Sequence, residues 1–416
     1  MNVRRTAAVL AATAVIGAAA PAVAADADDD ASPSPSSSVA IPSGLYGSTD
    51  PSYDGVWRQS LALLAQHTVG EKPAAKAVEW LVGQQCSDGA FPAYRADATA
   101  QCDAKTQVDT NSTAAAVQAL AALGGHEAET VHALRWLKDA QNEDGGWGYT
   151  AGGPSDANST SVVIGALAAV GDDPEEQRGK DGDSPYDALR ALAVPCDKEG
   201  GGAFAYQPDK KGALTANADA TAAAVLGNLG KGFVAEAAKP AEAEADKTGK
   251  CADGDDVSPA DAARSGAAYL AGSLTKDGYL ESVLAGAEDQ PDYGNTADAV
   301  VALSAAGAKE QTAGPLAWLE KNGPTWAAQA GPAAYAQLVF AAHATGTDPR
   351  DFGGTDLVKE LNATGPEPAA AASAAAEEKS EDEGSAFGAW WYVVVFLIAG
   401  AGIGFLISGR GRKQQP

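Results

Sequence analysis

The densest group of chemically capable side chains in the sequence is Asp253-Gly254-Asp255-Asp256. Carboxylates crowded in this way can make an acid. Burial and mutual repulsion raise the pKa of one of them, which then holds a proton at neutral pH and can deliver it. The surroundings point to a plainer part. The run follows Cys251 closely and precedes Ser258-Pro259, where acidic groups serve a solvated loop or the start of a helix. Asp26 to Asp30 repeats the spacing inside a Ser/Pro/Asp-rich stretch, so the match is cheap. Asp253, Asp255 and Asp256 are weak catalytic candidates, and no stronger catalytic motif accompanies them.

Thiolate and imidazole chemistry has less support. Cys86, Cys102, Cys196 and Cys251, with His67, His126, His132 and His343, show no C-x-x-C or H-x3-H spacing for zinc. Outside the cytoplasm an even number of cysteines predicts two disulfides. Cys86–Cys102 and Cys196–Cys251 are favoured because each closes a loop between adjacent elements, and the other connectivities stay open. No metal and no cofactor are expected.

A richer pattern runs along the chain. A polar head recurs before Ala-, Val- and Leu-rich segments: Asp109-Thr110-Asn111-Ser112-Thr113, Asp156-Ala157-Asn158-Ser159-Thr160, Asn217-Ala218-Asp219-Ala220-Thr221 and Asp292-Tyr293-Gly294-Asn295-Thr296. Such side chains accept hydrogen bonds from the free N–H groups of a first helical turn. In three copies a glycine (Gly124, Gly171 or Gly307) lies eleven residues past the Thr and supplies a left-handed terminus. Each segment therefore reads as a self-terminated helix of about three turns.

A second half-motif alternates with the first. An amphipathic helix ends in an aromatic or apolar pair, then come a glycine turn and an aromatic. The copies are Trp80-Leu81 with Gln85, Gly89 and Phe91; Trp136-Leu137 with Gln141, Gly145 and Trp147; Leu189 through Gly200-Gly201-Gly202 to Phe204; and Tyr269-Leu270 through Gly278 to Leu280. A degenerate fifth has Trp318-Leu319, Gly323 and Trp326. The two halves make a helical hairpin of roughly 50 residues, and the body has room for about six. The Ala/Val helices are apolar on nearly all faces, which predicts burial on both sides. Their partners carry Lys76, Glu79, Arg135 and Lys138 and face water. The expected fold is all-α, an α/α toroid with buried helices inside and amphipathic ones outside. An open solenoid is the alternative, and the lack of polar capping repeats favours closure.

In a closed ring the polar heads gather at one mouth. That places Asp109, Asn111, Thr113, Asp156, Asn158, Thr160, Asn217, Asp219, Thr221, Asp292, Asn295 and Thr296 around an opening. Phe91, Tyr94, Trp147, Tyr149, Phe204, Tyr206 and Tyr293 flank it. Polar groups with aromatic walls suit a large, partly polar ligand. Capping and turn packing account for each residue singly.

Gln141-Asn142-Glu143-Asp144-Gly145-Gly146-Trp147 is similar to the Q-x3-G-x-W repeat of squalene cyclases, and Gln85 to Phe91 matches it with Phe for Trp. Thr296-Ala297-Asp298-Ala299-Val300 resembles the inner-helix text of prenyltransferase and squalene-cyclase repeats. The resemblance covers most of residues 54–362. It implies the terpenoid cyclase and protein prenyltransferase toroid superfamily, which also holds complement thioester domains and cobalamin carriers. Fold does not fix function. Asp253 to Asp256 has the spacing of the cyclases' DxDD acid. The Asp, Cys and His zinc set of the prenyltransferases has no counterpart here, nor has the GCGEQ thioester sequence. What remains is binding of a ligand or partner without catalysis. A corrinoid is the most specific ligand implied, passed to a membrane transporter, although cobalamin carriers pair their toroid with a β-rich domain not found in these residues. A small hydrophobic or amphipathic ligand is the broader expectation. An exported terpene cyclase or prenyltransferase-like enzyme is one alternative; a surface scaffold without a small ligand is another.

The ends set the expected address. Arg4 and Arg5, an uncharged stretch from Thr6 to Ala20 and Ala22-Val23-Ala24 form a signal peptide over 1–24. A leader over 25–51 precedes the toroid at 52–362, which holds an acidic insertion at 235–256. A Pro/Ala/Glu-rich stalk follows at 363–386. Phe387 to Ile407 is 21 residues without charge, enough to span a bilayer as a helix. Trp390, Trp391 and Tyr392 mark one interface. Arg410, Arg412 and Lys413 keep the tail at 408–416 cytoplasmic and the body outside. The net charge of −26 excludes a nucleic-acid partner. Truncation before Phe387 is expected to release the protein into the medium; a truncated chain that stays in the membrane fraction contradicts the anchor.

Overall fold

The polar heads start helices where they should. Asp109, Asp156, Asn217 and Asp292 each accept a hydrogen bond from the backbone N–H three residues on, at Ser112, Ser159, Ala220 and Asn295. In the computed structural model, which describes residues 40–239, 251–254, 256–282 and 290–369, they belong to an alternating series of helices. The inner set is α1 (Gly55–Thr68), α3 (Thr110–Leu123), α5 (Ala157–Ala169), α7 (Ala218–Asn228), α9 (Tyr293–Ala305) and α11 (Pro332–Thr345). The outer set is α2 (Ala75–Gly83), α4 (Glu127–Asp139), α6 (Pro185–Ala191), α8 (Pro259–Leu274), α10 (Lys309–Ala330) and α12 (Leu357–Ala363). A two-residue ribbon, β1 (Leu280–Glu281) with β2 (Pro291–Asp292), leads into α9.

Each inner helix packs on the next, and α11 packs back on α1. The described residues thus form a closed ring of six inner helices, each with its outer partner: a mostly helical α/α toroid. Ala and Val permit this, because they let inner helices touch neighbours on both flanks and outer helices behind. From Ser112 to Leu120 and from Ser159 to Leu167 every residue is buried.

One contact recurs in the turns. Thr113, Thr160, Thr221 and Thr296, in the first turn of α3, α5, α7 and α9, each accept a hydrogen bond at Oγ1 from a backbone N–H just after the preceding glycine turn. The donors are Phe91, Trp147, Phe204 and Leu280, at 2.9, 3.1, 2.9 and 3.0 Å. The hydroxyls of Thr113, Thr221 and Thr296 donate in turn to the carbonyls of their own caps, Asp109, Asn217 and Asp292. The glycine turn is closed by its glutamine: Gln85 and Gln141 donate from Nε2 to the carbonyls of Gly89 and Gly145. Gly89 and Gly145 have φ of 99° and 83°, and any Cβ there would strike backbone of the neighbouring chain segment.

Several expectations change. The fifth glycine turn does not exist. Gly323 and Trp326 lie inside the 22-residue α10, and Gly323 instead lets α10 approach Leu338 of α11. Two inner helices lack the polar head: Asp54 makes no side-chain cap on α1, and α11 starts at Gly331-Pro332. Leu45 and Tyr46, placed in the leader by composition, are buried. The Tyr46 hydroxyl donates to the Pro366 carbonyl at 2.7 Å, and the Ala369 N–H to the Lys72 carbonyl at 2.8 Å, so stretches assigned to leader and stalk close the ring between them.

The residues just before the expected insertion, together with its first residue Ala235, form a plug that composition does not show. After α7 the chain enters the ring at its lower end. Gly232 lies against Gly165, so closely that a Cβ on either would collide. The Phe233 N–H donates to Gln118 Oε1 at 3.0 Å, and the Phe233 ring meets Trp57 edge-on with centroids 5.3 Å apart. Ala235 is buried. This segment fills the lower lumen.

Both favoured disulfides are present, Cys86–Cys102 and Cys196–Cys251. No helix among the described residues is long and apolar enough to cross a membrane, and the stretches 1–24 and 387–407 lie outside the described residues.

Thr160→Val keeps the shape but leaves the buried Trp147 N–H without an acceptor. The expected loss is about 1–3 kcal/mol of unfolding free energy, read by urea denaturation; an unchanged midpoint and slope would show that the hydroxyl contributes nothing.

Candidate ligand-binding mouth

Around the N-terminal end of the ring, burial is close to complete on α3 and α5 and partial on α7 and α9. In the first turns of α3 and α5, Thr110 and Ser112, and Ala157 and Ser159, are buried, while Asn111 and Asn158 between them are partly exposed. Asp219 holds the matching place in α7. In α9 that place is Gly294; Asp292 to Asn295 are all partly exposed, and so, one turn deeper on the same face, is Asp298. Gln337 of α11 completes the group. Its amide would sit 3.4 Å from a Cβ on Gly294, so a glycine there leaves it room.

Hydrogen bonds tie four of these five residues into two pairs, and Asn111 stands apart. Asn158 Nδ2 donates to Asp219 Oδ2 at 2.7 Å, and Gln337 Nε2 to Asp298 Oδ2 at 3.0 Å. The first bond fixes the orientation of the Asn158 amide, because the carboxylate can only accept from nitrogen. Its oxygen is then left over. Asn158 Oδ1 and Asn111 Oδ1 are buried acceptors without a partner. Helices α3, α5, α7, α9 and α11 carry no Lys or Arg. These five helices therefore present amide and carboxylate oxygens to the mouth without a cation, while the sixth, α1, carries Arg58, buried and paired with Asp54.

Charge accumulates at the same place. Desolvation pushes the Asp298 carboxyl up to about 8, with the nearby charges of Asp219 and Asp292 adding to it and the Gln337 bond opposing it. Burial also raises Asp219, partly offset by Asn158. By surface area both carboxyls keep an open edge, whereas the surrounding protein is dense; the dense wall and the like charges set the direction. The positive ends of the inner helices favour an ionised Asp219 in the first turn of α7 and help Asp298 less, one turn further in. Asp298 is thus the group that holds a proton near neutral pH.

The rim is aromatic. Tyr206 hydrogen-bonds with the Asp156 carboxylate, and burial with that charge raises its hydroxyl pKa. Burial and the charge of Asp109 push Tyr149 up to about 12. Tyr293 stacks on Trp326, centroids 5.4 Å apart, and packs on Trp318 at 4.8 Å.

The expected site residues therefore divide. Asn111, Asn158, Asp219, Tyr149, Tyr206, Asp292, Tyr293 and Asn295 lie at or beside the mouth with partly open side chains. Asp109, Asp156, Thr113, Thr160, Thr221 and Thr296 are buried caps and turn locks, and Asn217 caps α7. Burial raises the Asp109 carboxyl to about 6 despite its bonds to Ser112. Phe91, Trp147 and Phe204 flank no opening: all are buried behind the inner helices, and Trp147 Nε1 donates to the Leu137 carbonyl at 2.7 Å. Tyr94 stacks on Trp80 of an outer helix. Of the weak acid candidates, Asp253 and Asp256 lack the burial that would raise a carboxyl's pKa. Asp253 is exposed and accepts from the Cys196 N–H at 2.8 Å, Asp256 is exposed, and Asp255 lies outside the described residues. Asp298 and Gln337 are the residues that sequence reasoning missed. Their signal is a single polar residue in the middle of an Ala/Val helix. No group of three or more His, Cys, Asp or Glu placed to hold a metal occurs among the described residues.

No family model and no curated protein matches the chain. Solved structures similar to it include ent-copalyl diphosphate synthase from Streptomyces platensis, 17% identical, with 70% of this chain and 50% of that one covered and a TM-score of 0.44. A type II terpene cyclase from Scytonema is 14% identical over 67% of this chain and 73% of its own, at 0.41. A sugar epimerase from a ruminal bacterium is 14% identical over 67% and 80%, at 0.44. The chain spans half the length of the copalyl diphosphate synthase.

Asp298 also makes stability depend on pH. Its folded pKa of about 8 lies above the ordinary carboxyl value of 3.8, so the folded chain holds the proton more tightly. That contribution is complete below the ordinary value and is lost as pH rises through the folded one. Between those limits the melting temperature of Asp298→Asn should fall less with rising pH than that of the parent. Parallel curves would mean that Asp298 ionises normally.

Proposed function

We propose that this protein binds a large, donor-rich ligand across the mouth of its toroid, outside the cytoplasm and tethered to the membrane. The observation that carries the reading is the pair of unpartnered amide oxygens, on Asn111 and Asn158, beside two carboxyls in a lumen closed below by Phe233. Buried acceptors without donors cost free energy, and a ligand that supplies N–H or O–H groups recovers it. The filled lower lumen keeps such a ligand at the rim, where Tyr149, Tyr206 and Tyr293 offer apolar area.

A corrinoid meets these demands. Its periphery carries carboxamides, which donate through N–H, and its macrocycle is broad and flat enough to cover a rim rather than enter it. The tether would hold the loaded protein beside a membrane transporter. The test is titration of the purified full-length chain with hydroxocobalamin, followed by absorbance and by the melting temperature. Saturable binding with stabilisation is expected, and Asn158→Leu should weaken it by about tenfold or more, the equivalent of about 1.4 kcal/mol. No binding, or binding that Asn158→Leu and Asp219→Asn leave unchanged, rejects a corrinoid at the mouth.

A second reading has its own observation. A carboxyl that stays protonated near neutral pH, as at Asp298, is what an acid-initiated terpene cyclisation requires. Trp57 and Phe233 occupy the space where a polyprenyl chain would fold. Incubation with squalene or geranylgeranyl diphosphate, with products read by mass spectrometry, decides it: a cyclic product that Asp298→Asn abolishes establishes the enzyme, and its absence removes it.

A further inference from the structure

The opposite end of the ring carries a second feature that the mouth does not use. Where α1, α3 and α5 approach their C-termini, an open cavity of about 290 Å³ lies against the segment that plugs the lumen. Its walls are apolar or small: Leu64, Ala122, Gly165, Ala168, Ala169 and Val234. Apolar cavities of about half this volume hold a benzene ring, so a ligand with one ring or a short chain fits.

Two polar side chains reach the lining. Gln118 is already satisfied on both sides, donating from Nε2 to the Val162 carbonyl at 3.1 Å and accepting at Oε1 from the Phe233 N–H at 3.0 Å. Lys231 is different. It is the one charged residue of the lining, half-buried, and no carboxylate pairs with it among the described residues. In a chain of net charge −26 with 55 acidic residues, an unpaired ammonium at an apolar cavity stands out.

We propose that this cavity is a binding site for a small monocarboxylate with an apolar body, the carboxylate paired to Lys231 and the body seated against Leu64, Ala122, Ala169 and Val234. The chemistry selects the class. A lone ammonium supplies donors and no acceptor, so the ligand's polar end must accept. Beyond Lys231 and the already satisfied Gln118, the lining side chains are Leu, Ala and Val with glycine backbone between them, so the body of the ligand is mainly apolar. The helix C-termini gathered here carry partial negative charge, which opposes every anion, a multiply charged phosphate more than a single carboxylate, so pairing with Lys231 has to outweigh it. The site is independent of ligand capture at the mouth, since it shares no residue with it.

Titration of the full-length chain with 4-fluorobenzoate, followed by the linewidth of its ¹⁹F signal, tests the site. Saturable broadening is expected, with none for 4-fluorobenzylamine, which has the same body and the opposite charge. Lys231→Met keeps the apolar stem and should weaken binding by about tenfold or more, a loss of about 1.4 kcal/mol. Ala169→Trp fills the cavity from its exposed rim and should abolish binding while the melting temperature stays near that of the parent. Asp298→Asn, at the other end of the ring, should leave the affinity as it is, so failure at the mouth does not imitate failure here. The proposal is overturned if fluorobenzoate does not bind, if the amine binds equally well, or if both cavity variants bind like the parent.

Discussion

The ring depends on one small hydrogen-bonding unit, the threonine in the first turn of an inner helix. Its hydroxyl takes the N–H that follows a glycine turn, at Phe91, Trp147, Phe204 and Leu280. That single contact joins an outer helix, a turn and the next inner helix at a fixed distance. The cap residue four positions earlier starts the same helix. Repetition does the rest: identical joints impose a similar rotation at each step, and a ring closes when α11 reaches α1. The two hairpins without the unit, at α1 and α11, meet where the first and last described stretches of the toroid join, and there Tyr46, Gln66 and Asn362 supply a different network. Gln66 Nε2 donates to Asn362 Oδ1 at 2.6 Å and to Tyr46 Oη at 2.9 Å.

Closure decides where a ligand can go. A toroid of small side chains has a lumen by default, and this one is occupied from below by Gly232, Phe233 and Ala235. Gly232 is demanded by geometry, because the Gly165 backbone and the Gln118 amide leave no space for a Cβ. With the lower lumen filled by protein, polar groups at the upper end face a shallow opening. The same inner helices that need acidic caps for their N–H groups therefore place further oxygens, those of Asn111, Asn158, Asp219 and Asp298, at the rim. Burial, and after it the neighbouring like charges, raises the pKa of Asp219 and Asp298, and Asn158 and Gln337 offset part of this by donating to them.

Much of the ring is legible in the sequence because its rules are local. An Asp or Asn at a head, a Thr four residues on and a Gly past the end are short-range signals, and Cys86 and Cys102 bracket a single turn. What could not be read depends on contacts remote in sequence. Asp54 looks like a cap and makes none. Gly323 looks like a turn and serves helix packing against Leu338. Phe233 lies just ahead of the stretch whose composition resembles a loop, and only Trp57, Gln118 and Gly165 make it a plug. In the site the difficulty is different. Capping and ligand contact call for the same residue types, so Asp109 and Asn111 look alike in sequence although one faces its own helix and the other the opening. Asp298 and Gln337 lie a turn inside, beyond the motif that drew attention to the heads.

Amide hydrogen exchange of the full-length chain, with and without hydroxocobalamin, tests the central claim most directly, because it reports where a ligand acts. Slower exchange confined to the first turns of α3, α5, α7 and α9 and to the residues around Gln337 is the result this account predicts. Protection that appears instead along the outer helices, or an exchange pattern that the ligand leaves unaltered, would contradict it.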